Sequence, residues 1–422
     1  MISIFLFLMP VLLNVRFDFV GSVAVGELVL VAATPWALPR MMGWIKVRRV
    51  KFVLLLIALF FLAQIISDLY RGSDPYDYMR GWARLVVTSF SFVVLGALIQ
   101  GDENRIRIFI AGFALSSFLV YGGAVDVSLL TMAERFKYGI GSAIVMFVFM
   151  GLGVARVRSR LWLAIPFLLG LCAFFLNARS LAGITLATTV LAFVVSQPNY
   201  SKSLVNIRTI RFCAGGLVAA IGLLYAYEFS ASAGYFGDTA KEKYLQQSDR
   251  TGSFSILSGR DEMYYTLPKI IDSPIVGWGS WHRDLPYVLQ RTMEMGHSEN
   301  ASKYIAESRM GLVPAHSHIF GGWMEAGIMG GVFWVYVLFL LFRVIMSGAF
   351  NQVEGIECLV LYVLVNFTWD IFFSPYAGER RMWTGFLLAL IVIVLDKHER
   401  RVASRNSPLG VRPSGKEGVA LI

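Results

Sequence analysis

The stretch Pro314-Ala315-His316-Ser317-His318-Ile319-Phe320-Gly321-Gly322-Trp323-Met324-Glu325-Ala326-Gly327-Ile328-Met329-Gly330 marks a boundary in the chain. Upstream of it, from about residue 229, runs the one long polar segment of the protein. Downstream, apolar sequence continues to about residue 344. A run of that length exceeds the roughly 20 residues a helix needs to cross a hydrocarbon core about 30 Å thick. A polar segment that feeds directly into such a run is a loop anchored at a membrane surface, and that reading governs the rest of the chain.

Composition agrees with it. The 422 residues are 56% hydrophobic and 14% aromatic, with only 16% charged, against about 25% charged in an average soluble domain. Apolar segments fall at roughly 2–14, 20–38, 51–69, 83–100, 106–124, 138–156, 161–177, 181–196, 211–228, 317–344, 356–373 and 381–395. Within lipid a backbone must satisfy its own polar groups, so segments of this kind are helices. The expected fold is an all-α polytopic membrane protein with about 12 transmembrane helices and one long outward loop containing short helices. Residues 1–228 would carry helices 1–9, 229–316 the loop, 317–396 helices 10–12, and 397–422 a basic tail. The first segment lacks a basic flank and a small-residue cleavage site, so it reads as a membrane element and not a cleaved signal.

The net charge of +10 is distributed topogenically and does not form a nucleic-acid surface. Arg40, Lys46, Arg48, Arg49 and Lys51 follow segment two; Arg156, Arg158 and Arg160 follow segment six; Lys202, Arg208 and Arg211 follow segment eight; Lys397, Arg400 and Arg401 follow segment twelve. All are even-numbered breaks. Placing them in the cytoplasm puts both termini inside and the long loop outside. Arg179, between segments seven and eight, then faces outward, as do Arg380 and Arg381 between segments eleven and twelve. These arginines run against the bias that explains the others. Cys172, Cys213 and Cys358 lie in apolar runs without metal-ligand spacing, so they read as packing residues.

Within the loop, Ser258-Gly259-Arg260-Asp261 precedes Met263, Tyr264, Leu267, Ile270 and Ile271, an apolar helical face with Ser258 as N-cap and Asp261 as capping-box partner. Arg260 would lie in the first turn, beside free backbone N–H groups suited to an anion such as phosphate. Pro268 falls inside this helix, and Asp272-Ser273-Pro274-Ile275-Val276-Gly277-Trp278-Gly279 ends it with turn chemistry. Four of the five histidines, His282, His297, His316 and His318, belong to the same polar segment. His316 and His318 suit acid/base or phosphate-binding work, an ordinary interfacial hydrogen bond, or zinc together with Glu325 or His282. Glu325 and Asp370 fall inside apolar segments, where a carboxylate is costly unless paired; an arginine partner or a functional role is expected of Glu325.

Taken together, these stretches resemble the O-antigen ligase and polymerase superfamily of bacterial membrane glycosyltransferases. The resemblance rests on the arginine turn Asn177-Ala178-Arg179-Ser180, on Ser258-Gly259-Arg260 with Tyr264 followed by Pro274-Ile275-Val276-Gly277-Trp278-Gly279, and on Pro314-Ala315-His316 with Glu325, Gly327 and Gly330 downstream. The twelve-segment layout with its long loop after segment nine fits as well. After His316 the family commonly has asparagine, where this chain has Ser317-His318.

The resemblance implies a metal-independent enzyme of the GT-C type, without cofactor, in the bacterial inner membrane. Its donor would be an undecaprenyl-diphosphate-linked glycan. The acceptor would be lipid A-core in a ligase, or a second lipid-linked glycan in an O-antigen or exopolysaccharide polymerase; the ligase layout is the closer of the two. Arg179 and Arg260 would hold the diphosphate, His316 would orient or deprotonate the acceptor, and Glu325 would support one of them. His318, Arg380 and Arg381 are further substrate contacts. A polysaccharide flippase or ion-coupled transporter is the rival class; it calls for midplane ionisable residues in two related halves, and no such halves are visible.

Overall fold

In a computed structural model of the chain, the described residues are 1–19, 21–121, 135–154, 160–176, 178–195, 225, 229–230, 232–235, 262–294, 311–377 and 380–406. The described residues are predominantly helical, about 84%, with 14 helices among them. They are α1 (Ile2–Val11), α2 (Val25–Lys46), α3 (Arg48–Arg71), α4 (Pro75–Ile99), α5 (Glu103–Leu119), α6 (Gly141–Val154), α7 (Ala164–Phe175), α8 (Arg179–Val195), α9 (Glu262–Asp272), α10 (Leu285–Glu294), α11 (His318–Ala326), α12 (Ile328–Ser347), α13 (Glu357–Phe373) and α14 (Arg381–Asn406). Four of these, α2, α3, α4 and α12, are long and apolar enough to cross a membrane. Shorter apolar helices occupy the expected segments at the N-terminus and around α6, α7 and α8. Segment nine, residues 211–228, lies outside the described residues except for Tyr225.

The architecture is organised around α14. Every residue from Arg381 to Leu395 is buried, and a helix apolar on all sides belongs at the centre of a bundle. It packs along α4, which in turn contacts α2, while α1 packs on α5 and α7 on α8. The two ends of α14 are polar. At its start Arg381 pairs with Glu27 of α2 and donates to the Ser22 carbonyl at 2.9 Å. At its end Lys397 pairs with Glu103, and Glu399 takes both Arg49 and Arg343. Sixteen helical steps separate Arg381 from Lys397, roughly 24 Å along the axis, close to a hydrocarbon thickness.

The same separation sorts the connections. Those after segments two, four, ten and twelve meet at the Lys397 end, where Arg107 also reaches the Gly355 carbonyl at 3.3 Å. The connection after segment one meets α14 at the Arg381 end, and those after segments three and eleven meet described parts of the polar segment there.

Two features depart from expectation. A two-stranded antiparallel hairpin, β1 (Arg16–Phe19) with β2 (Gly21–Ala24), joins α1 to α2, pairing Arg16 with Ala24 and Phe17 with Val23. Segment ten, expected as one continuous helix over 317–344, is broken into α11 and α12 at Gly327. The cause is conformational: Gly327 has φ +62° and ψ −152°, a region essentially restricted to glycine. The freed backbone groups are taken by the turn that follows α9. Trp278 N–H donates to the Met324 carbonyl at 2.8 Å, Gly279 N–H to the Glu325 carbonyl at 3.0 Å, and Ile328 N–H to the Ile275 carbonyl at 3.2 Å.

A Cβ on Gly327 would stand 1.9 Å from the Ile275 carbonyl oxygen, against backbone that has nowhere to move. Gly327→Ala is therefore expected to lower the unfolding temperature sharply, by several kcal/mol of combined strain and lost hydrogen bonds. Gly183→Ala, in α8 with open space around it, is expected to be neutral or to stabilise by up to roughly 1 kcal/mol. Thermal unfolding of both variants in detergent checks the contrast.

Candidate active site

The histidine segment opens α11. Ser317 caps that helix, its hydroxyl accepting from Phe320 N–H at 3.2 Å and donating to the Ile371 carbonyl of α13 at 2.9 Å. The next residue, His318, is buried, with Nδ1 2.7 Å from the Ser374 carbonyl. Its ring stacks on Tyr376 at 5.2 Å and meets Trp334 and Phe367 edge-on. This environment locks the imidazole in place and makes His318 a packing element between α11 and α13. His316 has the opposite setting. It is exposed and borders a cavity lined by Met263 and Thr266 of α9, Phe320 of α11 and Phe372 and Phe373 of α13. Of the two, His316 is the one a substrate can reach.

Arg260 and His297 lie outside the described residues, but α9, which begins two residues after Arg260, is docked. Thr266 donates to the Pro314 carbonyl at 2.8 Å, fastening this helix to the histidine segment. Lys269 pairs with Asp284 at 2.6 Å and lies over the rings of Trp278 and Tyr287. Asp272 is the last residue of α9, where the turn was expected, and Pro268 is accommodated inside the helix. The half-buried Arg179 is the first residue of α8; that helix packs along α13, whose last turn lines the His316 cavity.

Glu325 is buried, and its partner is Arg84 of α4. Arg84 also donates to the Tyr376 carbonyl at 2.8 Å and lies over the Tyr376 ring at 4.7 Å, while the Tyr376 hydroxyl shares a 2.6 Å hydrogen bond with Thr88. One guanidinium thus ties together α4, α11 and the connection before α14. Asp370 pairs with Arg380 at 2.6 Å and accepts from Ser374 Oγ at 2.6 Å. Arg380 keeps about a third of its side chain exposed, whereas Arg381 is buried on Glu27. The reach of these two arginines therefore differs, with only Arg380 presented to a ligand.

The connection between α3 and α4 contributes residues that the motifs do not name. Asp68, at 1% exposure, accepts from Ser280 N–H at 2.5 Å, Ser280 Oγ at 2.8 Å and Trp82 Nε1 at 2.8 Å. Arg71 donates to the Gly277 carbonyl at 3.0 Å and to Ser273 Oγ at 2.7 Å, with Trp278 beneath it at 4.2 Å. Asp77 takes Arg283 at 2.7 and 3.1 Å. A mixed-charge connection looked like an unbiased outward loop. The available signal was that Arg84 falls inside an apolar segment, where an ionisable residue is costly unless it has a partner.

His282 sits against Trp278 at 4.8 Å. Burial, and then the nearby Lys269 ammonium, push its pKa down to about 4. Among the described residues no group of three or more His, Cys, Asp and Glu side chains is arranged to hold a metal ion. Comparisons with protein-family models and with curated proteins return no match.

Removing one member of a buried pair strands the other as an unpaired charge. Arg84→Ala is expected to cost about 3–5 kcal/mol, and the double change Arg84→Met with Glu325→Gln to recover much of it. Chemical unfolding in detergent, compared across the single and double variants, measures this. For His282 the folded pKa lies below the unfolded value, so its contribution to stability is complete above pH 6.5 and is lost as pH falls towards 4. A His282→Gln protein is expected to lose less stability than wild type over that interval, as melting curves recorded from pH 7 to pH 4 can show.

Proposed function

We propose that the protein is a glycosyltransferase of the bacterial inner membrane, with both termini cytoplasmic and its twelve apolar segments crossing the bilayer. It moves a glycan from undecaprenyl diphosphate onto an acceptor hydroxyl at the periplasmic face, with lipid A-core as the acceptor. The observation that carries this reading is the Thr266–Pro314 hydrogen bond. It fastens α9, the helix that follows the Arg260 motif in sequence, to the segment bearing His316.

In the reaction the acceptor oxygen attacks the anomeric carbon, and the bond from that carbon to the diphosphate oxygen breaks. The electron pair leaves with the diphosphate. Arg179 and Arg260 stabilise the charge that develops there, through planar guanidinium forks that match phosphate oxygens. His316 takes the acceptor proton, a role suited to an imidazole that a substrate can reach. Glu325 acts indirectly: held by Arg84, it stabilises the segment on which His316 sits.

Surface glycans of the native host, compared between deletion, wild-type and His316→Ala complementation, test this. In the deletion and in His316→Ala, full-length polymer is expected to accumulate on the lipid carrier while lipid A-core stays bare. Accumulation of single repeat units would instead mark a polymerase. Normal glycans in the His316→Ala strain would remove His316 from the chemistry.

A further inference from the structure

At the Arg381 end of the bundle, the second turn of α4 meets the loop that carries Trp281. Trp281 has φ +51°, a backbone conformation rare for a bulky residue and held only where the surroundings enforce it. Here the neighbouring Ser280 is fixed by its bonds to Asp68 and by Gln64 Nε2 at 2.9 Å, and Trp281 N–H points to Glu325 Oε1 at 3.4 Å. The strained backbone sets the indole under Arg80, whose guanidinium carbon lies 4.2 Å from the ring centroid and 5.2 Å from that of Tyr76.

Neither group has used its hydrogen-bonding capacity. Among the described residues the closest carboxylate to Arg80 is Asp77 at 3.7 Å, and that carboxylate is already engaged by Arg283 at 2.7 and 3.1 Å. The adjacent Asp74 accepts from the Tyr76 amide at 2.8 Å. Trp281 Nε1 is buried and has no partner among the described residues. Arg80 keeps about a fifth of its side chain exposed, and Arg283 over a third. Two aromatic faces holding a guanidinium leave its N–H edge preorganised for an anion with paired oxygens.

We propose that Arg80, with the Trp281 N–H and Arg283, forms a second anion subsite that takes a phosphate group of the acceptor lipid. The proposal rests on the transferase reading, in which the acceptor is itself a phosphorylated lipid presented at this face. Arg179 and Arg260 serve the donor diphosphate; Arg80 serves the other substrate. The link between the two sites is Glu325, which touches Trp281 through one oxygen and Arg84 through the other. Bulk anionic phospholipid carries the same phosphate chemistry, and the experiment separates the two sources.

Native mass spectrometry of the full chain in detergent would be used to titrate three lipids: diphosphoryl lipid A, the same lipid after enzymatic dephosphorylation, and phosphatidylglycerol. Wild type is expected to prefer diphosphoryl over dephosphorylated lipid A by about tenfold or more, as for a charge-assisted hydrogen-bonded pair. Arg80→Ala is expected to abolish that preference. Arg80→Lys, which keeps the charge and loses the fork, should restore little of it. Trp281→Phe, which keeps the ring and loses the N–H, should fall between.

An unchanged preference in Arg80→Ala would overturn the subsite. Full restoration by lysine would reduce it to surface charge. Equal, Arg80-dependent binding of phosphatidylglycerol would assign it to bulk lipid and overturn the acceptor assignment. Binding is read without turnover, so His316→Ala should retain the preference while losing transfer, and a failure of either proposal leaves the other readout intact.

Discussion

The break at Gly327 is the constraint on which the outer end of this protein depends. A helix interrupted within an apolar segment exposes carbonyls and N–H groups that lipid cannot satisfy, so irregular backbone at that depth must be covered by protein. Here the turn after α9 supplies the cover, with Trp278, Gly279 and Ile275 closing the open groups of α11 and α12. The polar segment is therefore fastened to the apolar body by backbone hydrogen bonds. Gly277 and Gly279, both at positive φ, allow the approach: a Cβ at either would meet atoms of Glu325, Gly327, Asp68 or Ser73 at under 3 Å.

Once the turn is seated, the ionisable groups around it have few alternatives. Glu325 lies on the last turn of α11, beneath the seated turn, and needs a cation; Arg84 on α4 is within reach. Asp68 meets the Ser280 amide and hydroxyl on the far side of the same turn. Arg71 bonds the Gly277 carbonyl from outside. Each pair carries a desolvation cost, and each is useful because it fixes one element against another at the face where His316 is exposed. Placing these contacts at one end of α14, with Lys397, Glu103, Arg49 and Glu399 at the other, gives the bundle two chemically different surfaces.

Much of this was legible in the sequence, for identifiable reasons. Apolar length is a strong signal, because hydrocarbon thickness acts on every segment alike, and four of the expected segments form helices long enough to cross a membrane. The end of α9 at Asp272 was legible because turn residues follow it directly. The break at Gly327 was not: Gly327 is one of several glycines between Gly321 and Gly331, and only the approach of a turn some 50 residues upstream selects it. The Arg84–Glu325 pair was half legible. Glu325 announced a missing cation, but no local pattern distinguishes Arg84 from the motif arginines. The hairpin at Arg16–Ala24 was hidden because four-residue strands leave almost no periodicity. In sequence, His316 was favoured over His318 only by the family resemblance and its spacing to Glu325; the burial of His318 among Tyr376, Trp334 and Phe367 is what separates their surroundings.

The chemistry proposed for the His316 face requires that a sugar–diphosphate bond is broken. The direct measurement is transfer by the purified full chain in phosphatidylcholine liposomes, with a radiolabelled undecaprenyl-diphosphate glycan and lipid A-core supplied on the same side. Label is expected to move to lipid A-core with one equivalent of undecaprenyl diphosphate released, and no release is expected without acceptor. Label that stays on the carrier but crosses to the other leaflet would overturn the transferase reading and identify the protein as a transporter.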